Sequence, residues 1–521
     1  MTRVKPGERK RAKAPKVRTG CRTCNATAGG RMSMAGAANL SPSLTTHTIS
    51  PISYGDPLEA RSLLFFTERT IGQFQAFFPD DFWNSHVLQF ALSQDCIRHA
   101  LVSLSAHHER YMRPRKTTGP AISSAVTSTV DADRAFALKQ HNMAIQSLLA
   151  CGDPSQALHV HLVSCLIFIC IEALQGEIRS AITLFKHGLS MIDELNKRSA
   201  AAAAASVRST SNSATSTPPS MSSASSSVTD SVPAEPDPLP SPTTPSFPDS
   251  IVTAVVNFLN RFAVQVALLA GDIDPDLRIG VIASASIKPS LSPTTRFHSL
   301  LEARESILNL AIHVISGSHN ALFGEGFLES GVIMLGWWTV AFDRMVEEQG
   351  PQLSKRGIAL LELHKRYLAA HLKVPNPSNG DIRWDEHIDE FGDLVSWAEK
   401  ALQPDIDGKG SLPAQFHMDL GVIPVMFSTV LRCRDPGVRR RALAVLRNHR
   451  LQEGIWDSSL TLRAAERIVM LEESSVALSA GGLPTAPQRV KTVMVHMDPD
   501  EKVARLQYGL ENYTFEEVLD W

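Results

Sequence analysis

Val160-His161-Leu162-Val163-Ser164-Cys165-Leu166-Ile167-Phe168-Ile169-Cys170-Ile171-Glu172-Ala173-Leu174 is the stretch on which the fold turns. It is apolar on every side as far as Ile171, and a helix apolar all round belongs in an interior. The run is shorter than the roughly 20 residues that cross a bilayer. Ile251 to Leu269, the second long apolar run, is interrupted by Asn257, Asn260, Arg261 and Gln265, which a lipid-facing helix avoids. Both read as buried helices, and no membrane association is expected. Gly176 then ends the first helix, and Ile178, Ile182, Phe185, Leu189 and Ile192 continue on one face of a second. The pair is an αα-hairpin.

Working outward, apolar residues keep the same helical spacing. Leu63, Phe66, Thr70, Phe74 and Phe77 form one stripe. Ile97, Ala100, Leu101 and Leu104 form another, with Ser93 placed to cap it, and Ala137, His141, Ala144, Ile145 and Leu148 a third. Later helices are expected at about 250–270, 297–316, 330–347, 355–373, 385–403, 413–432, 436–450 and 460–479. Val490 to Met497 is the single strand-like segment and Tyr513 to Trp521 a docking tail. A chain of 521 residues, 43% apolar and 20% charged, is a globular protein of ordinary balance, and this spacing excludes an all-β architecture. The expected fold class is all-α, a multi-helix antiparallel domain with a disordered basic N-terminal arm and a disordered Ser/Pro-rich insert.

The net charge of −2 hides an asymmetry. Arg9, Lys10, Arg11, Lys13, Lys16, Arg18 and Arg22 crowd the N-terminus, as do Arg3 and Lys5, against the single acid Glu8. A cationic tail on an acidic body suits nuclear import or contact with nucleic-acid phosphates. From 197 to about 249 the chain is a low-complexity insert rich in Ala, Ser, Thr and Pro, too poor in large apolar groups to repay ordering. The organisation is therefore a basic arm (1–55), a first helical part (56–196), a low-complexity linker (197–249), a second helical part (250–480) and a C-terminal tail (481–521). Seven cysteines, two of them in the apolar run, do not form an extracellular disulfide framework. The N-terminus lacks a leucine-rich secretory signal.

Lys16-Val17-Arg18-Thr19-Gly20-Cys21-Arg22-Thr23-Cys24 sets two thiols at the C-x2-C spacing that lets both sulfurs reach one zinc ion. With its basic flank, this resembles the start of the fungal zinc binuclear cluster (C6) transcription factors. Further on, Leu64-Phe65-Phe66-Thr67-Glu68-Arg69-Thr70, Phe82-Trp83, Ile97-Arg98-His99-Ala100-Leu101, Ile167 to Gly176 and Lys186-His187-Gly188-Leu189 are similar to the fungal-specific transcription factor regulatory domain. So are Leu431 to Pro436, Arg439-Arg440-Arg441-Ala442 and Glu453-Gly454-Ile455-Trp456-Asp457. The resemblance covers most of residues 60 to 480. It implies an RNA polymerase II regulator in the nucleus, with zinc as structural cofactor held by Cys21 and Cys24, DNA and transcription-machinery proteins as partners, and homodimerisation left open.

The cluster itself is truncated. Cys24 is followed by Asn25-Ala26-Thr27-Ala28-Gly29-Gly30, the next cysteine is Cys96, and four of the six ligands that the resemblance implies have no counterpart. DNA binding by this chain is then weak and non-specific, and the alternative is a helical interaction protein that acts through protein partners. An enzyme is not expected. Asp80-Asp81-Phe82-Trp83-Asn84 has the outline of a magnesium–diphosphate motif, but directly after Pro79 it reads as a capped helix start. His107-His108-Glu109 and His159-x-His161 lack the spacing that sets two imidazoles on one helical face. Arg434 and Arg439 to Arg441 suit ion pairs with nearby carboxylates better than a phosphate surface.

Overall fold

The break expected at Gly176 is a left-handed turn, with φ at 83°. Gly176 donates its N–H to the Ala173 carbonyl at 3.1 Å and Glu177 donates to Glu172 at 2.9 Å, which closes the apolar helix with a Schellman cap. The computed structural model describes residues 56–113, 124–151, 158–211, 249–270, 289–318, 325–374, 381–403, 414–476, 483–498 and 503–520. All lie in one unit spanning 54–521. The basic arm, with Cys21, Cys24 and the cations from Arg9 to Arg22, and most of the Ser/Pro-rich insert lie outside the described residues.

The described chain is mainly helical. α1 (Pro57–Phe65) is capped by Asp56, whose carboxylate accepts from the Leu58 N–H at 2.9 Å. Wide turns at Phe66–Thr70 and Phe82–Val87 bracket α2 (Ile71–Phe74) and lead to α3 (Leu88–Ser93). Then come α4 (Asp95–Met112), α5 (Ser124–Ala150), α6 (Leu158–Gln175), α7 (Ile178–Ser211) and α8 (Asp249–Ala270). They are followed by α9 (Leu300–Ser318), α10 (Glu325–Gln349), α11 (Lys355–Lys373) and α12 (Ile388–Ala401). A small sheet of β1 (Gln415–His417), β2 (Leu451–Glu453) and β3 (Trp456–Asp457) is threaded by α13 (Ile423–Arg432) and α14 (Pro436–Asn448). α15 (Ser458–Val476) leads to an antiparallel meander of β4 (Thr492–Asp498), β5 (Val503–Gly509) and β6 (Thr514–Asp520).

α6 is the spine. Leu162, Val163, Leu166, Ile167, Ile169, Cys170 and Ile171 are all nearly or fully removed from solvent, and α4, α7 and α8 pack around it. One hydrophobic core runs from Phe66 through Phe185 and Phe262 to Trp338, Trp384 and Trp456. The described helices before and after the insert thus share one packed core. Cys96, Cys165, Cys170 and Cys433 are buried free thiols in this interior, and Cys151 is half-buried.

Several local expectations change. α7 continues past residue 196 through the alanine run to Ser211, as the high helix propensity of alanine favours. Ser93 caps nothing: its hydroxyl donates back to the Phe90 carbonyl at 3.3 Å, and Gln94 is the N-cap of α4. The helix expected over 413–432 begins only at Ile423, with β1 in front of it. Val490 to Met497 is not isolated. It supplies most of β4, in register with β5 from Thr492↔Gly509 to Asp498↔Val503, and the expected docking tail is β6. A second, smaller core of Leu431, Ile468, Val490, Val493, Leu506, Tyr508 and Leu519 seats this sheet on α15.

The start of α13 shows how a strand fixes a helix. Glu453, fully buried at the end of β2, accepts from the Val422 N–H at 2.9 Å and the Ile423 N–H at 2.8 Å, satisfying donors that a helix N-terminus leaves open. Burial pushes its carboxyl up to about 8, against the pull of those two N–H groups. Gly421 makes room for the contact, since a Cβ there would lie 2.2 Å from the Glu453 carboxylate. Gly421→Ala is therefore expected to lower stability by about 2–4 kcal/mol, read as a fall in the urea midpoint. An unchanged midpoint would show that the cap is dispensable.

Candidate functional site

The polar residues that interrupt α8 are four apart, so Asn257, Arg261 and Gln265 share one face. Gln265 turns inward, donating to the Met418 carbonyl at 2.8 Å and lying against the left-handed turn at Gly454, φ 54°. Asn257 and Arg261 instead line a cavity of about 590 Å³ between α8, α9 and the turn that starts at Asp80. Glu302, Glu305 and Asn309 face it from α9, and Phe82, Ala254, Phe297 and Leu301 supply its apolar wall. A partly apolar cavity of that size with convergent polar groups has the dimensions of a small-molecule site.

Its floor is a desolvated ion network. Arg304 donates through Nη1 to Asp419 Oδ1 at 2.8 Å, and through Nε and Nη2 to Glu305 Oε1 at 3.0 and 2.7 Å. Arg261 Nη1 reaches the same Glu305 oxygen at 2.7 Å, and its Nε lies 3.4 Å from Asp419 Oδ1. The Arg304 guanidinium also stacks 4.8 Å above the Phe78 ring. Burial pulls His364 and His417, beside Asp419, down to about 4, so both are neutral at pH 7. Burial likewise raises the Asp80 carboxyl above its ordinary value, although Arg261 and Arg304 pull it down.

The candidates read from sequence are dispersed. Asp80 accepts from the Phe82 N–H at 3.0 Å, while Asp81, at the N-cap position, makes no side-chain cap bond and is exposed, as is Asn84. Among the described residues, no group of three or more His, Cys, Asp and Glu side chains is placed to hold a metal ion. His107 and His108 are core histidines, the latter bonded to Thr70 Oγ1 at 2.8 Å and Gln73 Oε1 at 3.0 Å. The arginine cluster forms ion pairs. Arg434 and Arg439, both fully buried, converge on Glu472, which also accepts from the Val490 N–H at 2.8 Å. Arg440 pairs with Glu473, and Arg441 with Glu399 at 2.8 Å. Asp80, Asp81 and Phe82 of the motif read from sequence do line the cavity; its α8 and α9 residues were not anticipated as a site, although the four-residue spacing of polar groups in α8 and the i, i+3, i+7 spacing of Glu302, Glu305 and Asn309 carry that signal.

From the end of α1 to the start of α8 the sequence is similar to a known family domain. Residues 63–250 match the fungal specific transcription factor domain. A 116-residue stretch is 33% identical to the aspercryptin biosynthesis cluster-specific transcription regulator atnN of Emericella nidulans. That stretch is 21% of this chain and 19% of the relative, so the likeness spans only a fifth of the relative's length. No solved structure matches. The matched domain belongs to transcription factors rather than to enzymes, and it contributes Asp80, Phe82 and Ser250 to the cavity, with α9 supplying the opposite wall.

Because the folded state raises the Asp80 pKa above the unfolded value, its stabilising contribution is fully present below pH about 3.8 and is lost as pH rises through the raised value. Asp80→Asn keeps the acceptor for the Phe82 N–H and removes that loss. The difference in Tm, variant minus wild type, should become more positive between pH about 4 and 7. A difference that is flat or falls with pH would refute the assignment.

Proposed function

We propose that the protein is a transcriptional regulator of RNA polymerase II genes, of the fungal zinc binuclear cluster type, acting in the nucleus on DNA and on proteins of the transcription machinery. One observation carries this reading: residues 63–250 match a transcription factor domain, and their helices share a single core with everything through α15. The regulatory domain is accordingly the whole helical body from 56 to 476. The cavity, bounded by the Asp80 turn of the matched segment, by α8 and by α9, is where a small ligand would act on it.

The arm is the DNA-contacting part in this reading, with Arg9, Lys10, Arg11, Lys13, Lys16, Arg18 and Arg22 set against phosphates. Zinc is the metal that the family reading implies, and Cys21 and Cys24 are its ligands here. A closed site takes four ligands, and the thiols of Cys96, Cys165, Cys170 and Cys433 are committed to the interior. The donor set therefore does not fit a binuclear cluster, and DNA contact through the arm is electrostatic and sequence-blind. That incomplete set also favours a second reading, in which the helical body works through protein partners alone.

A tagged full-length chain in a fungal host should be nuclear, and the Arg9→Ala, Lys10→Ala, Arg11→Ala, Lys13→Ala variant should shift to the cytoplasm. Deleting the gene should change the transcript levels of a defined gene set, restored by the wild-type copy. Steady cytoplasmic location with unchanged transcripts would overturn the proposal. Full restoration by a chain lacking residues 1–55 would select the interaction-protein reading.

A further inference from the structure

α10 carries an apolar stripe that faces away from the core. Ile333 and Val340 are 52% and 57% exposed, large values for β-branched apolar residues in mid-helix. Gly336 between them is exposed, and a Cβ built there would meet nothing within 4 Å. Trp337 borders it, half-buried, one side packed against the core and the other open, and the stripe is bounded by the exposed Glu329 at one end and the half-buried Arg344 at the other. At 3.6 residues per turn, Glu329, Ile333, Gly336, Trp337, Val340 and Arg344 fall within about 100° of arc, the width of a helix face that packs on a neighbour.

We propose that this face is an isologous interface on which a second copy of the chain docks its own α10 in antiparallel orientation. The residues are self-complementary about a two-fold axis passing between Gly336 and Trp337. Antiparallel pairing about that axis sets Ile333 opposite Val340, Gly336 opposite Trp337, and Glu329 opposite Arg344, each pair made twice. A closed two-fold contact demands this reciprocity. Gly336 leaves the hole into which the partner's Trp337 edge fits and lets the two backbones approach. The flanking charges oppose in sign in this antiparallel register, whereas a parallel, in-register pair would set Glu329 against Glu329 and Arg344 against Arg344. Neither Glu329 nor Arg344 has an ion-pair partner among the described residues. A single helix face buries less than the roughly 20–30 residues a side of a standard interface, so the dimer is a weak one, with a dissociation constant on the order of 10 μM.

The inference stands apart from the transcriptional reading, because its test involves neither DNA nor transcription. Sedimentation equilibrium of the full chain across about 1–100 μM should show monomer passing to dimer and no larger species. Glu329→Arg alone and Arg344→Glu alone should each weaken the dimer about tenfold, by setting like charges opposite one another. The double variant should restore it, a recovery that a purely structural role for these residues would not give. Ile333→Asp should leave a monomer at every concentration with unchanged helicity by circular dichroism. A wild-type chain that stays monomeric throughout would overturn the proposal. So would dimerisation indifferent to Ile333→Asp, or single charge variants that the double variant does not rescue. A monomer whose α10 face is nonetheless protected from hydrogen exchange would assign the face to another segment of the same chain.

Discussion

Covering α6 on all sides is the constraint to which the rest of the domain answers. An amphipathic helix needs a neighbour on one face, but Leu162, Val163, Leu166, Ile167, Ile169 and Ile171 point in every direction and are all buried. At about 1.5–3 kcal/mol for each large apolar side chain removed from water, leaving one flank open would forfeit much of what holds a domain together. α4 and α7 come from nearby sequence and α8 from beyond the insert. The last wall thus has to be brought in across a long excursion of chain. Phe262 of α8 lies 5.4 Å from Phe185 of α7, and the matched family segment ends at residue 250, where that wall begins.

Recruiting α8 explains the buried charge. A helix with an apolar face on α6 has another face to satisfy, and Arg261 and Gln265 sit on it, nearly or fully buried. Gln265 is answered by backbone, the Met418 carbonyl and the Ile455 N–H. Arg261 is answered by carboxylates that Arg304 shares. The same arrangement recurs where Arg434 and Arg439 meet Glu472. Desolvating such groups costs about as much as their attraction returns. Their contribution is to reject misregistered packings, since a shift of any partner strands a charge in the interior.

How much of this was legible follows from what is local. Helix positions were readable because the apolar spacing lies within each segment; the helix over 355–373 has the expected bounds. Gly176 was readable as a turn because its chemistry acts within a few residues. The C-terminal meander was not, because a strand is defined by its partner. Val503, Ala504, Leu506 and Tyr508 have little meaning until Val490 and Val493 are seen opposite. α13 was drawn too long because its start is imposed by Glu453, some 30 residues on in sequence. The polar residues of α8 were noticed for what they exclude, a membrane span, and their second meaning as a cavity wall needed α9 in place.

The interior thiols give this architecture a chemical clock. Burial pushes Cys165 up to about 12, Cys433 up to about 11 and Cys170 well above 9. The thiolate, which is the reactive form, is thus nearly absent at neutral pH while the domain is closed. Alkylation at these positions counts openings of the fold rather than collisions with its surface. Cys165 and Cys170 lie on the spine and Cys433 at the far end of α13. Equal labelling rates would mean that the halves on either side of the insert open together, and unequal rates would mark the seam along which the domain comes apart first.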